Sequence, residues 1–549
     1  MVLAELREPS LRHGVSLALV LMLAVALRLP AIQRGLFHWD EAQFLFSVQP
    51  GVLAIREAAG LTGAPRPFPE RPPFDTEKVP YWAFSGKPAY DLITTVYGVV
   101  MGLTPGSVGL LSFVFGLATI LVVYAIARHV FDEDVALASA LVLSVSSYHA
   151  YYSGSQASVA MSSFFLTLGV YLYLGTFIRP AFGRLALAGA CLACAYGAHY
   201  NLLLYVLVIF GICGLRLLYD RKPGDVLGCV VMGLSFLAVI GLFELFYRIM
   251  IPVAYGHVPA ARGAYLAQLR FQMGFLKWTL PSGLDRFSRL LLDSEGLLVC
   301  ALGLVGWVGT AFRKWRNWGT ALLLLLAGVH FMSATLGGAV RSPIFSRMTV
   351  AILPFVAIWA AVGLIQVLDV LRTRMAVPLR VPAFGVALLL VAALGAPRAW
   401  AVTTLRSGHE EQARYVLEHG DAQQVSGGFP VDQYYLGSFR GTYGLPLTLQ
   451  GLRELHQKTG VRLLVLDYRV NVMEEWGNPL GPALREFERA AVPEAVIDNP
   501  IGAALVVVGE DAQSGQALAR IFADPLSTQI RIYDLRKLLD GAVGTVPAQ

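Results

Sequence analysis

Two adjacent acids, Asp40 and Glu41, stand in the segment FHWDEAQF, hemmed by aromatic residues. A carboxylate there can serve as a general base that takes the proton of an acceptor hydroxyl, or as a hard oxygen ligand for a divalent metal. Side by side, two acids can divide the work, one facing a substrate and the other orienting the loop. A solvated turn would use the same residue types. Other chemistry is harder to find. The histidines show no H-E-x-x-H spacing for zinc, and neither GVRLLVLDY nor GAALVVVGED carries the G-x-G-x-x-G of a dinucleotide site. Cys191-x-x-Cys194 has a redox spacing but lies in the apolar run GACLACAYG, where small residues at a helix interface explain it better. Cys191, Cys194, Cys213, Cys229 and Cys300 all sit inside apolar blocks, so free thiols and no disulfide framework are expected.

The elements that must position the acids are membrane spans. Of 549 residues, 56% are hydrophobic and only 15% charged, with a mean hydropathy of +0.59; soluble domains carry about 25% charged residues. Apolar blocks of the length needed to cross a hydrocarbon core about 30 Å thick recur up to residue 400. We read about eleven spans, at 15–33, 109–130, 135–150, 158–178, 185–199, 201–219, 227–248, 296–312, 319–338, 348–370 and 382–400. The first is read as retained, since LRLPAI offers no small-residue cleavage site. With the N-terminus in the cytoplasm, Arg7, Arg12, Arg128, Arg179, Arg184, Arg216, Arg221, Lys222, Arg313, Lys314, Arg316, Arg372, Arg374 and Arg380 fall inside. The outward connections YHAYYSGSQ and YGAHYN contain no Lys or Arg, which is the positive-inside bias. Basic residues thus follow topology, so the formal charge of +6 does not indicate a nucleic-acid partner.

Asp40 and Glu41 then lie just beyond the outer end of the first span, in an outward loop of about 34–108 rich in Pro and aromatics. Within it, AYDLITTVYGVVMGL reads as a juxtamembrane helix at least as well as a span. A second outward segment, about 249–295, holds AYLAQLRFQMGFLKW, which suits an amphipathic surface helix. From 401 the pattern becomes soluble α/β. Helix-like EEQARYVLEHG precedes QQVSGGFP, LQGLRELHQKTG precedes VRLLVLDY, LREFERAA precedes AALVVVGE, and a helix near QALARIFA precedes QIRIYDL. The expected architecture is a membrane all-α bundle, 1–400, followed by an extracytoplasmic α/β domain, 401–549.

In order and topological side, several features resemble the C-superfold glycosyltransferases, in particular the protein O-mannosyltransferase and lipid A aminoarabinose transferase branch. Arg28-Leu29-Pro30 is followed by His38-Trp39-Asp40-Glu41-Ala42, and Ser85-Gly86-Lys87-Pro88 matches the Lys-Pro segment that closes the same loop. YHAYYSGSQASVAMSSFF matches the aromatic loop joining spans three and four, and SRMTVAILPFVAIWAAVGL, with Arg347 and Pro354, matches a late span. The likeness covers the first 400 residues, most tightly 25–180. One departure stands out: where relatives carry an Arg and an acid between spans three and four, this chain has Gly154 and Val159. That leaves donor and acceptor open and weakens a metal held by a second carboxylate.

The resemblance implies transfer of a sugar from a polyprenyl-phosphate donor to an acceptor hydroxyl on a protein, lipid or glycan, at the outer face of a membrane. Asp40 and Glu41 are the expected catalytic pair, and Lys87, Arg347, Arg28 and Tyr152 the expected substrate-binding residues. Cations near the outer leaflet would stabilise the phosphate as it departs, although Arg28 and Arg347 could equally snorkel to headgroups and Tyr152 belong to an interfacial aromatic belt. No cofactor is expected, and nothing beyond the acids indicates a metal. An Ala/Gly/Leu/Arg-rich composition suits a bacterial inner membrane. The rival readings are a flippase of lipid-linked sugars, which needs the groove and cations but no base, and a non-catalytic envelope assembly protein.

Overall fold

The computed structural model describes residues 11–37, 39–61, 86–177, 181–220, 223–255, 280–314, 317–337, 346–375, 380–419, 425–426, 430–436, 442–443, 445–446, 448–470, 478–503 and 524–541. Helix α1 (Leu11–Arg28) runs into a 3-10 turn (Leu29–Gln33) and is followed by α2 (Trp39–Ala58), α3 (Pro88–Met101) and α4 (Pro105–Val130). Next come α5 (Glu133–Ser144), α6 (Ser147–Tyr152), α7 (Val159–Gly175), α8 (Phe182–Ala198), α9 (Leu203–Asp220) and α10 (Pro223–Tyr255). The bundle closes with α11 (Leu280–Lys314), α12 (Trp318–Gly337), α13 (Ser346–Thr349), α14 (Leu353–Met375) and α15 (Arg380–Thr403).

Among the described residues, seven helices are long and apolar enough to cross a membrane, within α1, α4, α9, α10, α11, α14 and α15, and α7, α8 and part of α12 are shorter apolar helices. The chain is therefore an integral membrane protein. Two readings from the sequence take a different shape. The span expected at 135–150 is broken into α5 and α6, with Val145 and Ser146 between them. Much of each segment read as outward is helical: α2, which was not foreseen, lies inside the first beside α3, the juxtamembrane helix read from the sequence, and the ends of α10 and α11 lie inside the second. The amphipathic stretch AYLAQLRFQMGFLKW falls outside the described residues.

Lipid tails are as apolar as leucine, so close approach and dispersion must hold these helices together. Gly306 of α11 and Gly363 of α14 show how: a Cβ on Gly363 would lie 2.0 Å from the Leu302 carbonyl oxygen, and one on Gly306 2.1 Å from that of Trp359. Helices α4, α5, α7, α8 and α14 form the buried centre. Cys213 of α9 and Cys229 of α10 form a disulfide, Cα atoms 6.3 Å apart, which corrects the expectation of five free thiols. Helices α9 and α10 pack on each other with the two cysteines opposite, a proximity that sequence spacing does not reveal.

Beyond the bundle, five strands, β1 (Val425–Ser426), β2 (Thr442–Tyr443), β3 (Leu463–Leu466), β4 (Ala495–Asp498) and β5 (Gln529–Asp534), form one sheet in the order β2-β1-β3-β5-β4. Strand β1 is parallel to β2 and β3, whereas β5 runs antiparallel to β3 and β4. Side chains alternate between its faces. Leu464, Leu466 and Tyr533 pack on helices α18 (Leu449–Thr459), α19 (Leu480–Ala490) and α20 (Leu535–Gly541). Leu463, Val465, Ile530 and Ile532 pack with Ala413 and Val416 of α16 (His409–His419) and Leu436 of α17 (Pro430–Leu436). β3 is buried on both faces, as its unbroken run LLVL requires. The segments AALVVVGE and QALARIFA lie outside the described residues.

Candidate active site

The segment after α1 passes through the 3-10 turn and leads into α2. Acids in the first turn of a helix are favoured by its exposed N–H groups and dipole, and Asp40 and Glu41 occupy the first turn of α2. The Asp40 side chain lies outside the described residues. Glu41 is buried, at 3% exposure, and its two oxygens are committed. Oε2 accepts from Phe37 N at 3.1 Å, reaching back over the helix start. Oε1 accepts from the Ser155 hydroxyl at 2.8 Å and pairs with Arg34 Nη2. The Arg34 guanidinium lies over the Tyr151 ring, 4.2 Å from its centroid. Its Nε and Nη1 find no hydrogen-bond partner among the described residues.

Glu41 thus links the loop to the connection between α6 and α7, which is buried throughout despite its polar sequence. Ser153, Ser155, Gln156 and Ser158 are all fully buried. Within it Ala157 N donates to the Ser155 hydroxyl (3.0 Å) and Gln156 Nε2 to the Pro105 carbonyl (2.8 Å), while Gln156 Oε1 and Ser158 Oγ find no hydrogen-bond partner among the described residues. Gly154 meets the 3-10 turn after α1, where a Cβ would stand 2.4 Å from Ala31 Cβ and 2.6 Å from its carbonyl carbon. No arginine fits there, a steric reason for the departure noted in the sequence.

Lys87 and Pro88 mark the start of α3. Proline suits the first helical position because its missing N–H is no loss there, and Lys87 occupies the N-cap. Its side chain turns inward, with Nζ 4.1 Å from the centroid of the Phe44 ring on α2. One turn later Tyr90 donates to the Gln156 carbonyl at 2.5 Å, so α3 meets the α6–α7 connection as well. Asp91 is fully buried and accepts from the Tyr247 hydroxyl of α10 at 2.7 Å and Ser47 of α2 at 3.3 Å.

Tyr152 is buried, edge-on to Tyr151 (centroids 5.1 Å apart), and Arg347 is half-buried on α13, which packs against α6 and α11. Arg28 is placed differently from a headgroup-facing residue. It has no exposed surface, and its guanidinium caps the end of α5: Nη1 donates to Ser144 O (2.7 Å) and Nη2 to Leu143 O (2.9 Å), with His149 Nδ1 also 2.9 Å from Nη2. A cation at a helix C-terminus satisfies orphan carbonyls. Nearby, Ser146 donates to Glu295 Oε1 at 2.6 Å. A cavity of about 220 Å³ adjoins, lined by Val142, Val145, Glu295, Leu298, Leu394 and Arg398.

The structure therefore brings Glu41, Tyr152 and the first turn of α2 around one connection, with Lys87 on the adjoining α3 and Arg347 on α13 beside α6. Sequence reasoning missed Arg34 and Asp91. The signal for Asp91 was available, as the one acid inside the apolar run AYDLITTVYGVVMGL. Arg34 had none, because its role depends on a turn that reverses the chain. Among the described residues, no group of three or more His, Cys, Asp or Glu side chains could hold a metal ion.

Comparison with known proteins agrees with the fold. Residues 87–243 match the family described as dolichyl-phosphate-mannose-protein mannosyltransferase. The oligosaccharyltransferase AglB from Archaeoglobus fulgidus, solved with an inhibitory peptide and a dolichol-phosphate, is similar at 14% identity and a TM-score of 0.59, over 86% of this chain and 71% of that one. ArnT from Cupriavidus metallidurans, bound to undecaprenyl phosphate, is similar at 14% identity and a TM-score of 0.50, over 94% of this chain and 97% of that one. A search of curated proteins found no match. The chain shares the fold of these proteins, in line with the resemblance read from its sequence.

Proposed function

We propose that the protein is an inverting, metal-independent glycosyltransferase that moves a sugar from a polyprenyl-phosphate donor to an acceptor hydroxyl at the outer membrane face. The observation that carries this reading is the buried lock of Arg34, Glu41 and Ser155, which fixes the helix turn bearing Asp40 in the outward loop. In this reading Asp40 takes the acceptor proton as the oxygen attacks the anomeric carbon, and the bond to the polyprenyl phosphate breaks on the opposite side. Glu41 touches neither substrate: it positions Asp40. Lys87 and Arg347 meet the phosphate, whose charge grows as it leaves, and Tyr152 lines the site. Arg28 supports the break between α5 and α6 from inside. The apolar part of the cavity beside α5, α11 and α15 suits the first isoprene units of the carrier. The match to the mannosyltransferase family and the lipid phosphates bound by AglB and ArnT support the donor class.

Purified protein, reconstituted with a polyprenyl-phosphate sugar radiolabelled in the sugar, should release polyprenyl phosphate and label an acceptor from the same envelope. Movement of intact donor across the bilayer without bond cleavage would replace this reading with the flippase.

A further inference from the structure

The loop that carries Asp40 is held on its far side by the C-terminal sheet domain, largely through loop backbone. Ser407 N donates to the Arg34 carbonyl at 2.8 Å, and the Ser407 hydroxyl to the Leu36 carbonyl at 2.6 Å. Leu36 N donates to the Tyr435 hydroxyl at 2.8 Å, and Arg406 Nη1 to the Pro30 carbonyl at 3.1 Å. Phe37, three residues before Asp40, is buried with its ring stacked on Tyr468 (centroids 4.9 Å apart) and tilted against His409 (6.0 Å).

Behind Phe37 lies a buried polar couple that the transfer chemistry does not use. His409 Nδ1 is 2.9 Å from Gln412 Oε1 and 3.1 Å from Asp432 Oδ1, and none of the three residues is more than 1% exposed. Both partners present oxygen acceptors, so Nδ1 carries the ring proton. Burial pushes the Asp432 carboxyl up, but the His409 hydrogen bond and charge, with help from Arg469, outweigh it and hold the group below the usual carboxylate range. Polar groups sealed this deeply are costly unless paired, and removing one partner leaves the other stranded. The couple joins α16 to α17, and α17 also carries Tyr435 and Tyr434, the latter packed on Phe46 of α2 at 6.1 Å.

We infer that His409 and Asp432 are positioning residues for the transfer reaction: they lock α16 to α17 and thereby seat Phe37, Leu36 and the first turn of α2 where Asp40 stands. The inference rests on Asp40 being the base. Misplacement by about 1 Å costs up to about 100-fold in rate, so the couple acts on turnover. Lys87 and Arg347 hang from α3 and α13, so donor binding is not held by it.

Full-length protein in detergent tests this with two readouts on wild type, His409→Leu, His409→Asn and Asp432→Asn. In hydrogen exchange, His409→Leu and Asp432→Asn should speed exchange in peptides covering 30–46 and leave those of α7 and α8 unchanged. The His409→Asn amide nitrogen sits as many bonds from Cβ as Nδ1 does, so this variant should keep most of the protection. In kinetics with labelled donor, kcat should fall about 10- to 100-fold for the first two, with donor KM within about twofold and His409→Asn near wild type. Wild-type exchange at 30–46 in both disrupted variants would overturn the inference. So would faster exchange spread over the spans, or equal losses in His409→Asn and His409→Leu. If wild-type protein transfers no sugar, the reading of Asp40 falls on its own, and the exchange result alone decides whether the couple holds the loop.

Discussion

Arg34 and Glu41 are ion-paired inside the protein, seven residues apart, Arg34 at the end of the 3-10 turn and Glu41 in the first turn of α2. Neither has more than 3% of its surface exposed. A buried pair adds little net stability over an apolar one, but breaking it strands a charge. Glu41→Gln should lower stability by about 3–5 kcal/mol, read as a drop in the melting temperature of detergent-solubilised protein. Arg34→Met combined with Glu41→Gln should cost less than the sum of the single changes, because neither charge is then left alone. Additive losses would show that the two side chains act separately.

Asp40→Asn keeps size and helix position but not basicity. Loss of a general base typically costs about 10²- to 10⁴-fold, so sugar transfer should fall by that range while donor binding, measured by equilibrium titration, stays near wild type. Retention of more than about a tenth of the activity would remove Asp40 from the role.

Lys87→Ala and Arg347→Ala should each raise the donor KM and lower kcat. A contact that strengthens as the phosphate departs is felt in kcat, whereas a uniform contact is felt in KM alone. A charge-assisted hydrogen bond contributes about 1.5–3 kcal/mol, so each loss should cost about 10- to 150-fold in kcat/KM. The double variant should fall short of the product if both cations meet one phosphate. Near-wild-type kinetics in both would place the phosphate elsewhere.

Gly154→Ala adds one methyl where Ala31 already stands 2.4 Å away, with backbone behind it. Overpacking of this kind typically costs about 1–3 kcal/mol. Because the 3-10 turn it would push leads into Arg34, activity should fall with stability. Gly154→Ala combined with Ala31→Gly should recover part of both, measured by melting and by labelled-sugar transfer.

The C-terminal sheet should weaken in acid through Asp534. Its carboxyl is lowered to about 2, chiefly by the Arg536 side chain, whose Nε lies 3.0 Å from Oδ1 and 3.1 Å from Oδ2. An unfolded Asp titrates near 3.9, so this contribution is present above about pH 4 and is lost as pH falls through about 2. Pepsin cleavage within 524–541 should therefore rise between pH 4 and pH 2. Asp534→Asn should already be cleaved faster at pH 4, and an unchanged profile in that variant would contradict the assignment.

What the sequence made legible was set by the range of the forces involved. Local signals marked the helix in AYDLITTVYGVVMGL and the apolar strands in VRLLVLDY and QIRIYDL, because such patterns act within a few residues, whereas α2, which carries the two acids, was read as loop. Lys87 and Tyr152 were found by their place in motifs. Arg34, Asp91, His409 and Asp432 were not, since each acquires meaning from a partner brought close by the fold: Tyr247 for Asp91 is 156 residues away, and Asp432 for His409 is 23. The Cys213–Cys229 disulfide was missed for the same reason. The break between α5 and α6 escaped notice because the side chain that stabilises it, Arg28, comes from another helix.

The seam between the loop after α1 and the C-terminal domain is asymmetric. On the loop side, most of the polar contacts are peptide groups, at Pro30, Arg34 and Leu36; on the domain side they are mainly the side chains of Arg406, Ser407 and Tyr435. Every residue type except proline carries both peptide groups, so loop sequences can diverge at Leu36 to any other residue without disturbing these bonds, while the domain is bound to keep its three donors and acceptors. A domain grafted from a distant relative would seat on this loop only if it supplied an arginine, a serine and a tyrosine at equivalent points, along with an aromatic face for Phe37. Exchange of C-terminal domains among such proteins is thus limited chiefly by what the incoming domain presents to the loop, with Phe37 the loop side chain that it must accommodate.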